Sequence, residues 1–263
     1  MAESTICLLL FTLIYSLFLS KTTYFQWNRW YLIGSVFFAL LIPLISLPIW
    51  IYDNPHEISN TFHWNLISGA IGLTKESLPL SDQSFKKTPD LSLLIFTFGT
   101  IYLTGVMYNL WAFIKNLRVI VDLIHQSKKI QEESYYSVYI QTTLPTFSFM
   151  RYIFLEPTVS QLNQEELSQV IHHEQIHVRQ KHTMDLLLME IVGIIFWFNP
   201  TINYLKKSLK LVHEFLVDAE VVKHRDLRQY SHLLLKLALQ QNNVSIANGI
   251  SNSQILNRIA MLT

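Results

Sequence analysis

The chain is poor in charge and in cysteine. Asp, Glu, Lys and Arg make up only 15% of its 263 residues, and 20 basic residues against 19 acidic ones give a net charge of +1. A net charge this close to zero creates no overall positive potential to attract a polyanion, which argues against direct nucleic-acid binding. The single cysteine, Cys7, excludes a disulfide framework within the chain and a cysteine-based metal cluster. A metal ion held here must be bound by histidine and carboxylate side chains.

Apolar residues account for half of the sequence, and the mean hydropathy is +0.26. This composition is typical of a membrane protein, and the 13% of aromatic residues excludes intrinsic disorder. Three apolar runs predict transmembrane helices at about residues 5–20, 31–51 and 91–114. A signal peptide is the alternative for the first run, but that run lacks a basic start and a small-residue cleavage site.

The loop charges predict the orientation of these helices. Lys21 and Arg29 lie between the first two runs, and Lys115 and Arg118 follow the third, whereas residues 53–90 balance acid and base. Because cytoplasmic loops carry the excess of Lys and Arg, we expect the 53–90 loop to be external. Residues 1–115 are thus predicted to form a transmembrane region of a multi-pass protein, with residues 116–263 on the cytoplasmic side.

The cytoplasmic part is predicted to be a small α+β body, so that the fold class is membrane α-helical plus α+β. Hydrophobic periodicity and β-branched residues indicate the elements, and Asn163 with Glu166 forms a capping box that begins the main helix. The predicted elements are a helix over 116–135, strands within 135–144 and 147–155, a helix from Asn163 to about His182, a polar loop at 240–253 and a last helical turn at 255–262.

An HExxH pattern lies on the capped helix, with His173 and His177 four residues apart. Side chains at this spacing share one helix face, about 5 to 6 Å apart at Cβ, so both imidazoles reach one ion at the 2.0 to 2.1 Å typical of zinc. Glu174, next to the first histidine, is placed to take a proton from a water in the open coordination position. The pattern therefore predicts a hydrolytic metal site.

A third protein ligand is needed, and Glu214 is the best candidate. Glu214 and Asp218 are four residues apart on a largely apolar helix, so one can bind the metal while the other accepts a hydrogen bond from a ligand imidazole. The metzincin pattern fails because Gln180 and Thr183 stand where it requires Gly and His. Glu190 is the rival ligand, in an apolar helix that would have to fold back sharply.

Residues 186–205 form a fourth apolar run, which is long enough to cross a membrane. A simple span would separate Glu214 from the two histidines. We therefore expect a buried or re-entrant hydrophobic hairpin, broken at Asn199 and Pro200, that seats the catalytic body against the membrane.

These features resemble the BlaR/MecR-type regulatory membrane metallopeptidases of bacteria, gluzincins with HExxH followed by ExxxD. The similarity lies in five segments: 145–155, 173–177, 197–200, 214–218 and 258–262. The first segment resembles the strand region that precedes the helix in that family, and the last, with the run from His173 to Asp185, is similar to the branch found in Bacteroidetes. The resemblance implies a zinc-dependent endopeptidase of the cytoplasmic (inner) membrane, with one Zn²⁺ per chain bound by His173, His177 and Glu214, Glu174 as general base and Asp218 as support for a ligand.

The same resemblance implies signal transduction through cleavage of the chain itself or of a cytoplasmic repressor. The predicted partners are a peptide or protein substrate and the lipid bilayer, without direct nucleic-acid contact, and a homodimer is one open oligomeric state. Members of the family usually continue through a fourth span into an external sensor, and this sequence stops at Thr263, so beta-lactam sensing is not carried over. A site-2-type intramembrane protease and a catalytically idle sensor or scaffold are the alternative functions.

Overall fold

The computed structural model describes residues 2–42, 91–132, 134–140, 144–242 and 249–262. The chain divides into two compact units, Met1–Ile45 with Tyr102–Thr263, and Ser46–Ile101. The described part of the second unit is residues 91–101, in the first turns of a long helix. The predicted external loop, 53–90, and the end of the second predicted span lie outside the described residues.

Helices dominate the described residues, with one small sheet between them. The eight α-helices are α1 (Ala2–Ile14), α2 (Phe25–Leu41), α3 (Leu91–Gln126), α4 (Gln164–Arg179), α5 (His182–Ile195), α6 (Pro200–Val222), α7 (Leu227–Asn242) and α8 (Gly249–Leu262). The four strands are β1 (Lys128–Gln131), β2 (Tyr136–Tyr139), β3 (Phe147–Phe149) and β4 (Tyr152–Leu155). A π-helical turn at Tyr15–Leu19 extends α1, and a 3₁₀ turn at Pro157–Gln161 precedes α4.

One described helix, Ser92–Gln126, is long and apolar enough to cross a membrane. It contains the third predicted span and continues beyond that span as predicted, but it ends at Gln126 rather than at residue 135. The prediction of helix over 127–135 was wrong, because Lys128–Gln131 pairs instead as a strand with Tyr136–Tyr139. The first predicted span lies in α1 with its π-helical extension, and the described part of the second lies mainly in α2; both helices are shorter than α3.

The sheet has the strand order β1-β2-β4-β3. The central pair, β2 and β4, is parallel, and each edge strand pairs antiparallel with its neighbour. Ile153, Phe154 and Leu155 of β4 are buried. Their β-branched, aromatic and apolar side chains suit a central strand of a sheet. The predicted strand at 147–155 is two strands joined at Met150, whose φ of 55° reverses the chain.

A hydrophobic core joins α1, α2, α5 and α6. Its buried members include Leu32 and Val36 of α2, Met189 of α5 and Leu205 of α6. The rings of Phe25 and Phe215 pack with their centroids 5.1 Å apart, further along the same pair of helices. This packing places α6, which carries Glu214, directly against the second predicted span.

The predicted hairpin is present as α5 and α6. The first helix ends at Ile195, and the chain turns through residues 196–199. The Asn199 side chain caps α6 by accepting a hydrogen bond from the Thr201 N–H at 3.0 Å, and Pro200 begins that helix. The break at Asn199 and Pro200 is therefore confirmed. Because two antiparallel helices are joined by a short turn, the far ends of this run lie on the same side.

Gly105 of α3 lies under the indole of Trp197 in the hairpin turn, and a methyl group there would overlap that ring. We expect Gly105→Ala to lower the free energy of unfolding by about 1 to 3 kcal/mol, because the indole must move. The measurement is thermal unfolding of the purified protein in detergent. Gly34 of α2 has no atom within 4 Å of an added Cβ, so Gly34→Ala is the matched control. Equal melting temperatures for the two variants would contradict the contact.

Candidate metal centre

The helix that carries HExxH begins at the predicted capping box. The Asn163 side chain accepts a hydrogen bond from the Glu166 N–H at 2.7 Å, and the Glu166 carboxylate accepts one from the Asn163 N–H at 3.1 Å. Two otherwise unpaired backbone donors are thereby satisfied. The helix ends at Arg179, three residues before the predicted end, because Lys181 adopts a left-handed conformation with φ of 56°. His182 consequently starts α5 and faces back toward α4.

The structure brings His173, His177 and Glu214 together from α4 and α6. One ligand atom from each lies within 4.8 Å of the others. The two Nε2 atoms are 3.2 Å apart, and the Glu214 carboxylate oxygens lie 3.6 Å from His173 Nε2 and 3.5 Å from His177 Nε2. Glu214 lies 37 residues after His177 in the sequence, and the fold brings it next to both histidines.

This donor set fits zinc. Two imidazole nitrogens and one carboxylate oxygen are a usual ligand set for a catalytic zinc, which keeps a fourth position open. Atoms bound at 2.0 to 2.1 Å around a tetrahedral ion lie about 3.3 to 3.4 Å from one another. The distances of 3.2, 3.5 and 3.6 Å between the three side chains are close to that value.

The ionisation of these side chains also suits a cation. Burial lowers the pKa of His177 to about 3, with the positive charge of His173 acting in the same direction, so its ring is neutral and keeps a lone pair. Burial raises the pKa of Glu214, but the positive charges of Arg258 and of the nearby His173 lower it by more, so Glu214 is ionised. Burial lowers the pKa of His173, but the negative charge of Glu214 beside it raises the pKa by more.

Glu174 lies beside the three residues and is 9% exposed. Burial raises the pKa of its carboxyl group, and a hydrogen bond with Ser148 of β3 opposes part of that rise. A carboxylate with a raised pKa is a better proton acceptor near neutral pH than an ordinary surface carboxylate. The predicted general base therefore has a suitable environment.

Asp218 is connected to the candidate ligand His173 through a tyrosine. The Tyr230 hydroxyl lies 2.8 Å from His173 Nδ1 and donates to Asp218 Oδ1 at 2.6 Å, whereas His173 Nδ1 and Asp218 Oδ1 are 3.6 Å apart. His173 can then donate from Nδ1 to the hydroxyl oxygen and keep Nε2 free for a metal. The sequence predicted a direct bond from a ligand imidazole to Asp218, and the structure places Tyr230 of α7 between them.

Arg258 of α8 joins the two carboxylates of α6. Its Nη2 and Nε lie 2.6 and 2.7 Å from the two Asp218 oxygens, and its Nη1 lies 2.9 Å from Glu214 Oε2. Sequence reasoning missed Tyr230 and Arg258 as members of the site. A signal existed for the arginine, because two buried acidic residues on an apolar helix need a nearby cation, but that rule does not say which cation.

Glu190, the rival third ligand, lies elsewhere. Its carboxylate accepts a hydrogen bond from Lys206 Nζ at 2.8 Å across the hairpin. Gly193 leaves room for this lysine, because an added Cβ at that position would lie 2.5 Å from Lys206 Nζ. Glu190 therefore forms an ion pair that joins α5 to α6.

A cavity of about 500 Å³ opens onto the three candidate ligands and Glu174. The edge strand β3 contributes Phe147 and Ser148 to one wall. Helix α7 contributes an apolar part of the lining, with Leu233, Leu234, Leu237 and Ala238.

The comparison with known protein families agrees with this geometry. Residues 2–262 match the family described as BlaR1 peptidase M56. The chain belongs to the M56 peptidase family. The M56 chain is 25% identical over 192 residues to the regulatory protein BlaR1 of Bacillus licheniformis. The aligned residues cover 67% of this chain and 31% of that protein. The chain is 24% identical over 296 residues to the methicillin resistance mecR1 proteins of Staphylococcus aureus and Staphylococcus epidermidis, covering 97% of this chain and 48% of each relative.

The resemblance to BlaR/MecR-type proteins noted from the sequence is thus confirmed. This M56 chain spans about a third to a half of the length of the curated relatives it matches. Membership of the family makes the chain a metallopeptidase-like protein whose named relatives are regulators.

Proposed function

We propose that this M56 peptidase is an integral-membrane zinc metalloendopeptidase that transduces a signal by cutting a peptide bond in itself or in a cytoplasmic repressor. The observation that carries the proposal is the convergence of His173, His177 and Glu214 at 3.2 to 3.6 Å, with a buried Glu174 beside them. The buried carboxylates of Glu174 and Asp218, with Arg258, surround the candidate ligands. Such a cluster of buried charged groups is typical of a functional site.

Each residue of the site has a proposed task. His173, His177 and Glu214 would hold the ion, and the zinc supplies a Lewis acid that polarises the scissile carbonyl and makes a water molecule acidic. Glu174 accepts the proton of the attacking water and passes it to the leaving amine. Tyr230 and Asp218 fix the His173 ring so that Nε2 faces the site.

The edge strand β3 is proposed to hold the substrate. Within the described sheet β3 pairs with β4 on one side only, and its residues Phe147 and Ser148 line the cavity. An extended peptide can add to such an edge by backbone hydrogen bonds. Because Ser148 also hydrogen-bonds to Glu174, a peptide paired there would pass beside the general base.

The membrane arrangement is part of the proposal. We infer that α1 with its π-helical extension, α2 and α3 each cross the bacterial cytoplasmic membrane, and that the α5–α6 hairpin seats the peptidase against it. The proposed transmembrane region is 1–115 and the proposed peptidase domain is 116–263. The excess of Lys and Arg on one side supports a cytoplasmic location for the site and an external location for 53–90.

The regulatory role is proposed from the relatives. One relative is named a regulatory protein and the others methicillin resistance proteins. We extend to this chain only the role of a regulator. Input would arrive from outside the membrane, and output would be a cut in the chain itself or in a repressor.

The test is a cleavage assay on the full chain purified in detergent or nanodiscs. We expect about one zinc per chain, and cleavage of a tagged second copy or of whichever repressor-like protein is encoded beside this chain. Treatment with 1,10-phenanthroline should stop the cleavage, and added zinc should restore it. A chain that binds one zinc and cuts neither protein would instead be the idle sensor. A chain that binds no zinc would refute the whole proposal.

A further inference from the structure

A buried polar network lies on the side of His177 that faces away from Glu214. It begins at Arg29 of α2, which is 8% exposed. Arg29 donates from Nη2 to the backbone carbonyl of Gln180 at 2.8 Å and from Nε to Asp185 Oδ2 at 2.7 Å. One guanidinium therefore binds both sides of the corner between α4 and α5.

The next contacts lead from this corner to the candidate ligand. His182, which is 2% exposed, lies with Nδ1 at 2.9 Å from His177 Nδ1 and with Nε2 at 3.1 Å from the Gln180 side-chain oxygen. Gln180 is thus held by Arg29 through its backbone and contacts His182 through its side chain. The ring of His182 is set by the same residue that Arg29 fixes.

The partners define one consistent set of protons. If His177 Nε2 binds a metal, its proton is on Nδ1, and that N–H donates to Nδ1 of His182. His182 must then carry its own proton on Nε2, where the Gln180 side-chain oxygen accepts it. Every donor in this line meets an acceptor, and reversing any ring would set two donors or two acceptors against each other.

A second contact holds His182 from its face. The His213 ring of α6 stacks on it with a centroid distance of 3.9 Å and an interplanar angle of 8°. His213 Nε2 lies 3.0 Å from Asp185 Oδ2, the same oxygen that Arg29 binds. The position of His182 therefore depends on Arg29 through Gln180 and also through Asp185 and His213.

We propose that His182 is the positioning residue for the metal ligand His177, and that Arg29 anchors it, so that tight metal binding requires α2 to be seated against the α4–α5 corner. The inference rests on the zinc site of the proposed function, but not on catalysis. A shift of α2 would release Gln180 and Asp185 together, and His177 would lose its fixed orientation. Helix α2, which contains the described part of the second predicted span, is thereby connected to the site through Arg29.

The test measures metal binding by the full chain in nanodiscs, without reference to peptidase activity. The zinc dissociation constant is obtained by competition with a chromophoric chelator, and the cobalt-substituted protein gives a visible absorption spectrum that reports ligand geometry. The paired variants are His182→Leu, which removes the acceptor for His177, and His182→Asn, whose side-chain oxygen can replace it. Arg29→Gln removes the anchor, and Arg179→Gln is the control, because Arg179 forms an exposed ion pair with Glu220.

We expect His182→Leu and Arg29→Gln to weaken zinc binding about 10-fold to 100-fold and to alter the cobalt spectrum. The His182→Asn and Arg179→Gln variants should stay within about 3-fold of the parent, by the same measure. Zinc affinity and a cobalt spectrum unchanged in His182→Leu or Arg29→Gln, even with a lower melting temperature, would reduce the network to packing and overturn the inference. An equal loss in Arg179→Gln or in His182→Asn would overturn it as well.

The outcomes separate this inference from the proposed function. A parent chain that binds zinc and shows the expected variant pattern but cuts no protein would refute the peptidase proposal and leave the inference standing. A parent chain that cuts its substrate but shows no variant effect would do the reverse. A parent chain without zinc would refute both.

Discussion

Replacing Glu174 with Gln is expected to abolish proteolysis while zinc stays bound. The amide has nearly the same shape as the carboxylate but cannot accept a proton from water, and general-base catalysis contributes about 10²-fold to 10⁴-fold to a rate. His173, His177 and Glu214 are unchanged in this variant, so the ligand set remains. The measurement is the initial rate of substrate cleavage together with the zinc content per chain.

Glu165→Gln is the matched control for Glu174→Gln. Glu165 lies in the first turn of the same helix and is exposed to solvent. The loss of its charge should therefore leave both the cleavage rate and the zinc content unchanged. Full activity in Glu174→Gln would remove Glu174 as general base. Loss of zinc together with activity would make Glu174 a residue that shapes the metal site.

The second large effect is expected at Arg258. Replacing it with Met leaves Asp218, which is fully buried, and Glu214 without the cation that binds both. Breaking a buried ion pair from one side costs about 3 to 5 kcal/mol, since an uncompensated charge stays in the interior. Zinc adds two positive charges beside the same carboxylates, so we expect a smaller loss in the zinc-loaded protein than in the metal-free protein.

Thermal unfolding of both forms measures this difference. Arg258→Lys keeps the charge without the fork geometry and should lie between the parent and Arg258→Met. Arg225→Met is the surface control, because Arg225 is exposed and its described contact is a 3.4 Å hydrogen bond to Ser168. Equal melting temperatures for the parent and Arg258→Met in the metal-free form would show that the two carboxylates do not need this arginine.

Local rules predicted the helical part of the site well. The capping box at Asn163 and Glu166, the i,i+4 spacing of His173 and His177 and the break before Pro200 depend on residues close in sequence. Such interactions act in any chain that carries the same residues, so they can be predicted without a tertiary structure. The hairpin followed from one further argument, that two metal ligands cannot lie on opposite sides of a membrane.

The sheet was predicted less accurately, for a physical reason. Lys128–Gln131 is exposed, and nothing in its own pattern distinguishes a strand from the end of a helix. Its state is decided by pairing with Tyr136–Tyr139, which is a contact with another segment. Strand pairing of this kind depends on context more than helix propensity does.

The amino-acid sequence by itself determined the apolar runs, the capped HExxH helix and the acidic pair at Glu214 and Asp218, because each is a local pattern with a known chemical use. Only the tertiary structure decided which distant side chains complete the site. Tyr230, Arg258, His182 and Arg29 come from four separate helices, and their sequence spacing carries no signal. The reason is that a buried charge or ligand ring requires a partner at hydrogen-bond distance, and only the packing of helices determines which residue that partner is.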